Sequence, residues 1–124
     1  MKILVTGTRA LTQKQGEKIQ DTIRKWVVDN PSIEQTTLIE GGANGVDRYA
    51  GLVADYLDFI HIRHPALWDR FGKKAGIIRN CEMLDLYKPS HVLAFPGKTS
   101  RGTWHCVSEA KKKGIPVTVF EDAK

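Results

Sequence analysis

The chain has only two cysteines, Cys81 and Cys106, and neither sits in a CxxC spacing. That excludes a disulfide-stapled scaffold and removes the usual sign of a zinc or redox motif, so no metal is expected. Reduced thiols in a cytoplasm are the expectation. No apolar run approaches the roughly 18 residues of a membrane-spanning helix, and no membrane partner is expected. The opening run Met1-Lys2-Ile3-Leu4-Val5-Thr6-Gly7 breaks too early for a secretory leader. Aromatic residues make up 8% of the chain, too few to lay out a stripe on which bases could stack. There is no G-x-G-x-x-G, and the turn at Gly102 lacks the Lys-Ser/Thr tail of a P-loop. A dinucleotide oxidoreductase and a GTPase are therefore disfavoured. Linkers, repeats and low-complexity stretches are also missing.

What is present fits one domain. The chain has 124 residues, 41% hydrophobic and 27% charged, an ordinary globular balance. Lysine and arginine number 19 against 14 acidic residues, a net charge of +5, which suits an anionic partner. The Lys111-Lys112-Lys113 run is dense, but at a helix end it reads as a solvated turn favoured by the helix dipole.

Short apolar runs alternate with helical periodicity. Residues 2–6, 36–39, 58–62, 91–95 and 116–120 read as five strands. Residues 13–29, 45–57, 70–87 and 102–113 read as helices. Ile19, Ile23, Trp26 and Val27 form one apolar face, and Ala75, Ile78, Met83 and Leu86 another. Asn30-Pro31 stops the first helix and Gly114 the last. This alternation predicts an α/β fold, a Rossmann-like three-layer α/β/α arrangement with a five-stranded parallel sheet in order 3-2-1-4-5. The first strand is central because it is the most uniformly apolar.

Ligands of such sheets bind beyond the carboxyl ends of the strands, where the strand order reverses. Gly7-Thr8-Arg9 follows the first strand, and Gly41-Gly42-Ala43-Asn44-Gly45-Val46-Asp47 follows the second. His64-Pro65-Ala66 follows the third, and Pro96-Gly97-Lys98-Thr99-Ser100-Arg101-Gly102-Thr103 the fourth. A glycine turn that opens a helix presents N–H donors at its positive end, a ready anion site. One such turn can merely reverse the chain; three on one edge describe a phosphate-bearing small ligand.

Arg9 can fork onto a phosphate or sit solvated in its loop. Asn44 and Asp47 have the spacing of an N-cap and its N3 partner; Asp47 can alternatively accept from a ribose hydroxyl or a base edge. Arg79 and Asn80 lie mid-helix beside Ile77 and Ile78, an odd place for a purely solvated arginine. Ser100 and Thr103 can cap the last helix or bind phosphate. Trp68 can stack on a base or pack at the rim. His61 and His64 point to opposite faces of an extended segment, which argues against a metal there. His91 opens a strand at the surface, and His105 lies nearer the expected ligand.

These motifs, taken in order, resemble the SLOG superfamily, closest to the small single-domain YspA/YpsA-related branch. The run from Pro65-Ala66-Leu67-Trp68-Asp69-Arg70-Phe71-Gly72 to Arg79-Asn80-Cys81-Glu82-Met83, then Pro96-Gly97 and Gly102-Thr103, carries the resemblance with the two earlier glycine turns. It covers nearly the whole chain. The superfamily includes the Lonely Guy phosphoribohydrolases and the DprA single-strand DNA-binding proteins. The resemblance implies a Rossmann-like nucleotide-binding domain over residues 1–124. In the phosphoribohydrolases an Arg-Lys-x-x-Met helix and a Pro-Gly-Gly-x-Gly-Thr-x-x-Glu loop carry the site. Here Asn80 stands for the lysine, the loop is longer, and the glutamate position is Cys106. Cleaving an N-glycosidic bond needs a carboxylate to stabilise positive charge or activate water, and a cysteine is a poor substitute.

The expected ligand-binding set is Gly7, Thr8, Arg9, Gly41, Gly42, Ala43, Asn44, Asp47, Trp68, Arg79, Asn80, Pro96, Gly97, Arg101, Gly102 and Thr103. The phosphates would sit on N–H groups near Gly42, Gly97 and Gly102-Thr103. The leading reading is a module that binds a nucleotide or nucleotide-derived ligand without a further cofactor, as a sensor or sequestering protein. The alternative is a nucleotide N-glycosidase in which Arg79 and Asp47 would be catalytic. A single-strand DNA binder ranks third, because acidic residues are scattered and no stacking stripe is visible. Homo-oligomers are expected, with Trp26 or Leu84 on the pairing face.

Overall fold

The structure, a computed structural model, describes residues 1–98 and 100–121. Thr99, part of the expected fourth loop, lies outside the described residues.

Five strands form one parallel sheet: β1 (Lys2–Gly7), β2 (Thr37–Glu40), β3 (Ile60–Arg63), β4 (His91–Phe95) and β5 (Val117–Val119). Their order is β3-β2-β1-β4-β5, as the alternating pattern predicts. β1 pairs with β4 from Ile3 opposite His91 to Gly7 opposite Phe95, and with β2 from Lys2 opposite Thr37. Side chains alternate across the central strand. Ile3 and Val5 face a core with Ile19 and Ile23 of α1 (Gln13–Asp29) and Val46, Ala50 and Val53 of α2 (Val46–Tyr56). Leu4 faces the other side, with Met83 and Leu84 of α4 (Ala75–Tyr87) and Cys106 and Ala110 of α5 (Arg101–Lys112). Both faces are covered, which is why β1 and β2 are almost continuously buried.

Local sequence explains the helix ends. Thr12 and Gln15 form a capping box at the start of α1, each side chain bonded to the other's backbone N–H. Gly16 in α1 lies against the Tyr49 ring of α2, where a Cβ would come within 2.3 Å.

Several expectations are corrected. The helix expected over 70–87 is broken: α3 (Trp68–Phe71) and a 3-10 turn at Gly72–Lys74 precede α4. Gly72 has φ +58°, a value that interrupts helical continuity. The third strand begins two residues later than expected, because Asp58 takes a left-handed turn at φ +59°. Gly45, not Asn44, is the N-cap of α2. On α4 the apolar face holds Leu84 rather than Leu86, which is 64% exposed. Leu84 is buried in the core and unavailable to a pairing surface. Trp26 is half-buried and packs against His91, ring centroids 4.7 Å apart. Among the described residues no helix is long and apolar enough to cross a membrane.

Candidate functional site

The strand order reverses between β1 and β4. Beyond their carboxyl ends lies a cavity of about 660 Å³, the crevice that open parallel sheets leave at that point. Its walls come from Thr6 to Ala10 at and beyond the end of β1, Ala43 before α2 and Asp47 in its first turn, Arg79, Asn80 and Met83 of α4, and Ser100 to Thr103 at the start of α5.

Arg79 is 8% exposed and tied into a relay. Its Nη1 donates to the Gly41 carbonyl at 2.7 Å and its Nε to Asn80 Oδ1 at 3.2 Å. Asn80 Nδ2 donates in turn to the Gly102 carbonyl at 3.1 Å. The chain of bonds runs from the loop after β2, through α4, to the first turn of α5. Burial lowers the pKa of Arg79; the Asp47 charge opposes that shift and the nearby Arg9 charge adds to it.

Asp47 is 6% exposed, and its Oδ2 accepts from the N–H groups of Gly41 and Ala43, both at 3.2 Å. Burial pushes its carboxyl up to about 6, against the pull of the Ala43 amide and Arg79. Two further turn amides are engaged. Gly42 N–H donates to Glu40 Oε1, and Gly97 N–H to the Ser100 hydroxyl at 2.6 Å. Of the amides expected to meet a ligand in these turns, those of Gly42 and Gly97 themselves donate within the chain instead.

α5 is different. Ser100 is its N-cap residue, but its hydroxyl serves Gly97 and makes no cap bond. The first-turn N–H groups of a helix have no intrahelical acceptor, and among the described residues no side chain caps them. Among the described residues a Cβ on Gly102 would meet nothing within 4 Å, so none of them covers this end of the helix. Among the described residues, three guanidinium side chains, of Arg9, Arg79 and Arg101, line the cavity against one carboxylate, that of Asp47.

A second cavity of about 320 Å³ shares Arg9, Ala43 and Arg79 with the first and adds Gly41, Gly42, Asn44, Pro65, Ala66 and Trp68. The Arg9 guanidinium carbon lies 5.2 Å from the Trp68 ring centroid, a cation–π distance. Trp68 is 47% exposed, so its ring is a rim and not core.

The structure therefore gathers Gly7, Thr8, Arg9, Ala43, Asp47, Arg79, Asn80, Arg101, Gly102 and Thr103 around one cavity, and Gly41, Gly42, Asn44 and Trp68 around its neighbour. Pro96 and Gly97 line neither. Gly97 is needed for packing, since a Cβ there would come within 2.7 Å of Thr8 Oγ1. Cys106 is fully buried, and burial pushes its thiol up to about 12, so it stays neutral. His105 lines neither cavity.

Sequence reasoning missed Glu40. It is fully buried at the end of β2. Its Oε2 meets His61 Nε2 and Arg63 Nε, each at 2.7 Å, and His61 Nδ1 meets Asp55 Oδ1 at 2.9 Å. This network anchors the Gly41-Gly42 turn from beneath. The signal was an acidic residue closing an otherwise apolar run immediately before a glycine pair.

No protein-family model matches the chain. It is 35% identical over 126 residues to the gene 61 protein of Mycobacterium phage D29, covering 98% of this chain and 97% of that protein. The chain belongs to the family of that phage protein. Its fold is also that of DNA processing protein A, DprA. The Streptococcus pneumoniae protein superposes with a TM-score of 0.72 at 18% identity over 98% of this chain. The Helicobacter pylori protein, described for its single-stranded DNA binding mode, gives 0.66 at 20% identity over 96% of this chain. The chain spans 52% and 64% of those two structures respectively.

Proposed function

We propose that this member of the gene 61 protein family binds a nucleotide or nucleotide-derived ligand in the cavity between β1 and β4. It would hold the ligand rather than turn it over, as a sensor or sequestering protein of a small SLOG-type branch. One observation carries the reading: three arginines and one carboxylate surround the uncapped N-terminus of α5. A phosphate group there would take the orphan N–H donors of Arg101, Gly102 and Thr103 and relieve the repulsion between Arg9 and Arg79. The adjoining cavity, walled by Trp68 and the Gly41-Gly42 turn, offers a base a ring to stack on.

Two other readings have an observation each. The DprA fold favours a nucleic-acid ligand, with the same arginines meeting backbone phosphates. The Asp47 carboxyl, raised to about 6, is in the range of a general acid and favours N-glycosidic hydrolysis. Its oxygen is already committed to two amides, and the neutral Cys106 supplies no base, so binding without turnover ranks first.

The test is native purification followed by denaturation and mass spectrometry of what is released. A nucleotide near one per chain, lost in Arg79→Ala, is expected. An empty protein that melts identically across a nucleotide panel, yet binds oligothymidylate with steep salt dependence, would overturn the reading in favour of single-stranded DNA. Steady release of base from added nucleotide would replace it with the hydrolase.

A further inference from the structure

We propose that Cys81, His105 and Glu109 form a binding site for a thiophilic divalent cation of the zinc class, bridging α4 and α5. The site lies outside both cavities and does not depend on the nucleotide reading. His105 and Glu109 are four residues apart on α5, so they share one face. Cys81 comes from the packed α4. One donor atom from each lies within 4.8 Å of the others, and all three residues are half-buried.

The chemistry of the donors selects the ion. A thiolate, an imidazole and a carboxylate are the zinc ligand types, whereas magnesium and calcium take oxygen alone. Zinc bond lengths of about 2.0–2.3 Å place tetrahedral donors within roughly 4 Å of one another, so side-chain adjustments of about an ångström close the site. The half-exposed side leaves water as a fourth ligand.

A second observation points the same way. Among the described residues His105 Nδ1, which is buried, has no hydrogen-bond partner, and Nε2 lies 3.6 Å from Glu109 Oε1, beyond hydrogen-bond length. Neither ring nitrogen makes a short bond with the described residues. A buried orphan of this kind calls for a partner that the described residues do not provide. The nearby positive charges leave room for a cation: Lys112 Nζ stands 3.6 Å from Glu109 on a side chain 70% exposed, free to swing outward, and Lys113 is paired with Asp85 at 2.6 Å. The paucity of cysteine pairs in the sequence hides such a site, because its ligands come from two different helices. A bound ion would staple α4, which carries Arg79 and Asn80, to α5, whose first turn Asn80 holds.

The test is cobalt(II) titration of metal-free, full-length protein. One equivalent should produce a thiolate–cobalt charge-transfer band and the intense visible bands of a tetrahedral centre, both erased by added zinc. Cys81→Ser should abolish the charge-transfer band. Glu109→Gln, a milder surface change, should weaken zinc binding by more than the roughly 10–100-fold typical of losing an outer-shell partner. No charge-transfer band in the wild type, a band that survives Cys81→Ser, or zinc affinity unchanged in Glu109→Gln would overturn the proposal. Nucleotide binding is read at no step, so the two proposals fail separately.

Discussion

The Arg79 guanidinium occupies the space that a side chain on Gly41 would fill: a Cβ there would stand 2.6 Å from Nη1 and 2.8 Å from Cζ. Gly41 also accepts the Arg79 hydrogen bond through its carbonyl. The glycine therefore serves the arginine. Gly41→Ala should displace the buried Arg79 side chain as far back as Cδ, 2.9 Å from the new Cβ, and strain its hydrogen bonds, at a cost of roughly 1–3 kcal/mol in stability. Ligand affinity should fall by at least about tenfold, the worth of one charge-assisted hydrogen bond. Paired thermal melts and calorimetric titrations of the variant check both halves.

Asp47 makes stability depend on pH. Its carboxyl is at about 6 in the folded chain against an ordinary 3.8. The folded state thus keeps a proton that the unfolded chain has released. Its contribution is fully present below pH 3.8 and is lost as pH rises through about 6, a change of roughly 3 kcal/mol. Asp47→Asn keeps an acceptor for the two amides and should flatten that slope in urea unfolding. Sulfate, which does not itself titrate in this range, should bind the wild type more tightly as pH falls through 6, and equally at all these values in the variant.

Gly45 is held at φ +81°, and a Cβ would lie 2.4 Å from the Thr8 carbonyl oxygen. Here the obstacle is backbone, not a side chain. Gly45→Ala should cost more than the roughly 1–2 kcal/mol of the left-handed conformation alone. A melting temperature within a degree of wild type would show that the loop after β1 does not rest on the start of α2 as described.

Glu40 holds His61, Arg63 and the Gly42 amide from a fully buried position. The Glu40 carboxylate, through its hydrogen bond and its charge, raises the pKa of Arg63. Arg63 is half-exposed, so water screens much of that pair. Glu40→Gln should therefore cost roughly 1–3 kcal/mol, mostly from the buried hydrogen bonds. Amide hydrogen exchange at Gly42 should quicken in step.

The sheet was legible because its central strands β1, β2 and β4 had to be buried on both faces, and runs such as Ile3-Leu4-Val5 have few other uses. The loops were legible because glycine clusters fell after three of the strands. What escaped was the fate of individual donors. Nothing in the spacing of Gly41, Gly42 and Asp47 shows that a buried carboxylate folds back onto two turn amides. Nor does local pattern reveal that Ser100 abandons the cap of α5 to hold Gly97, which leaves the helix end uncapped among the described residues. Gly72 was visible, but helical periodicity on either side does not reveal that it takes the φ of +58° that splits the helix expected over 70–87. The Glu40 network and the Cys81, His105 and Glu109 cluster join residues far apart in the chain, beyond the reach of periodicity.

The central claim is that the uncapped start of α5, together with Arg9 and Arg79, receives a phosphate. Its most direct test is a nitrogen-15 NMR titration with a nucleoside diphosphate. The backbone amides of Arg101, Gly102 and Thr103 and the Arg79 Nε–H should shift together and saturate at one ligand per chain. Shifts confined to the outer faces of α1 and α2, or none at those four protons at saturating nucleotide, would contradict it.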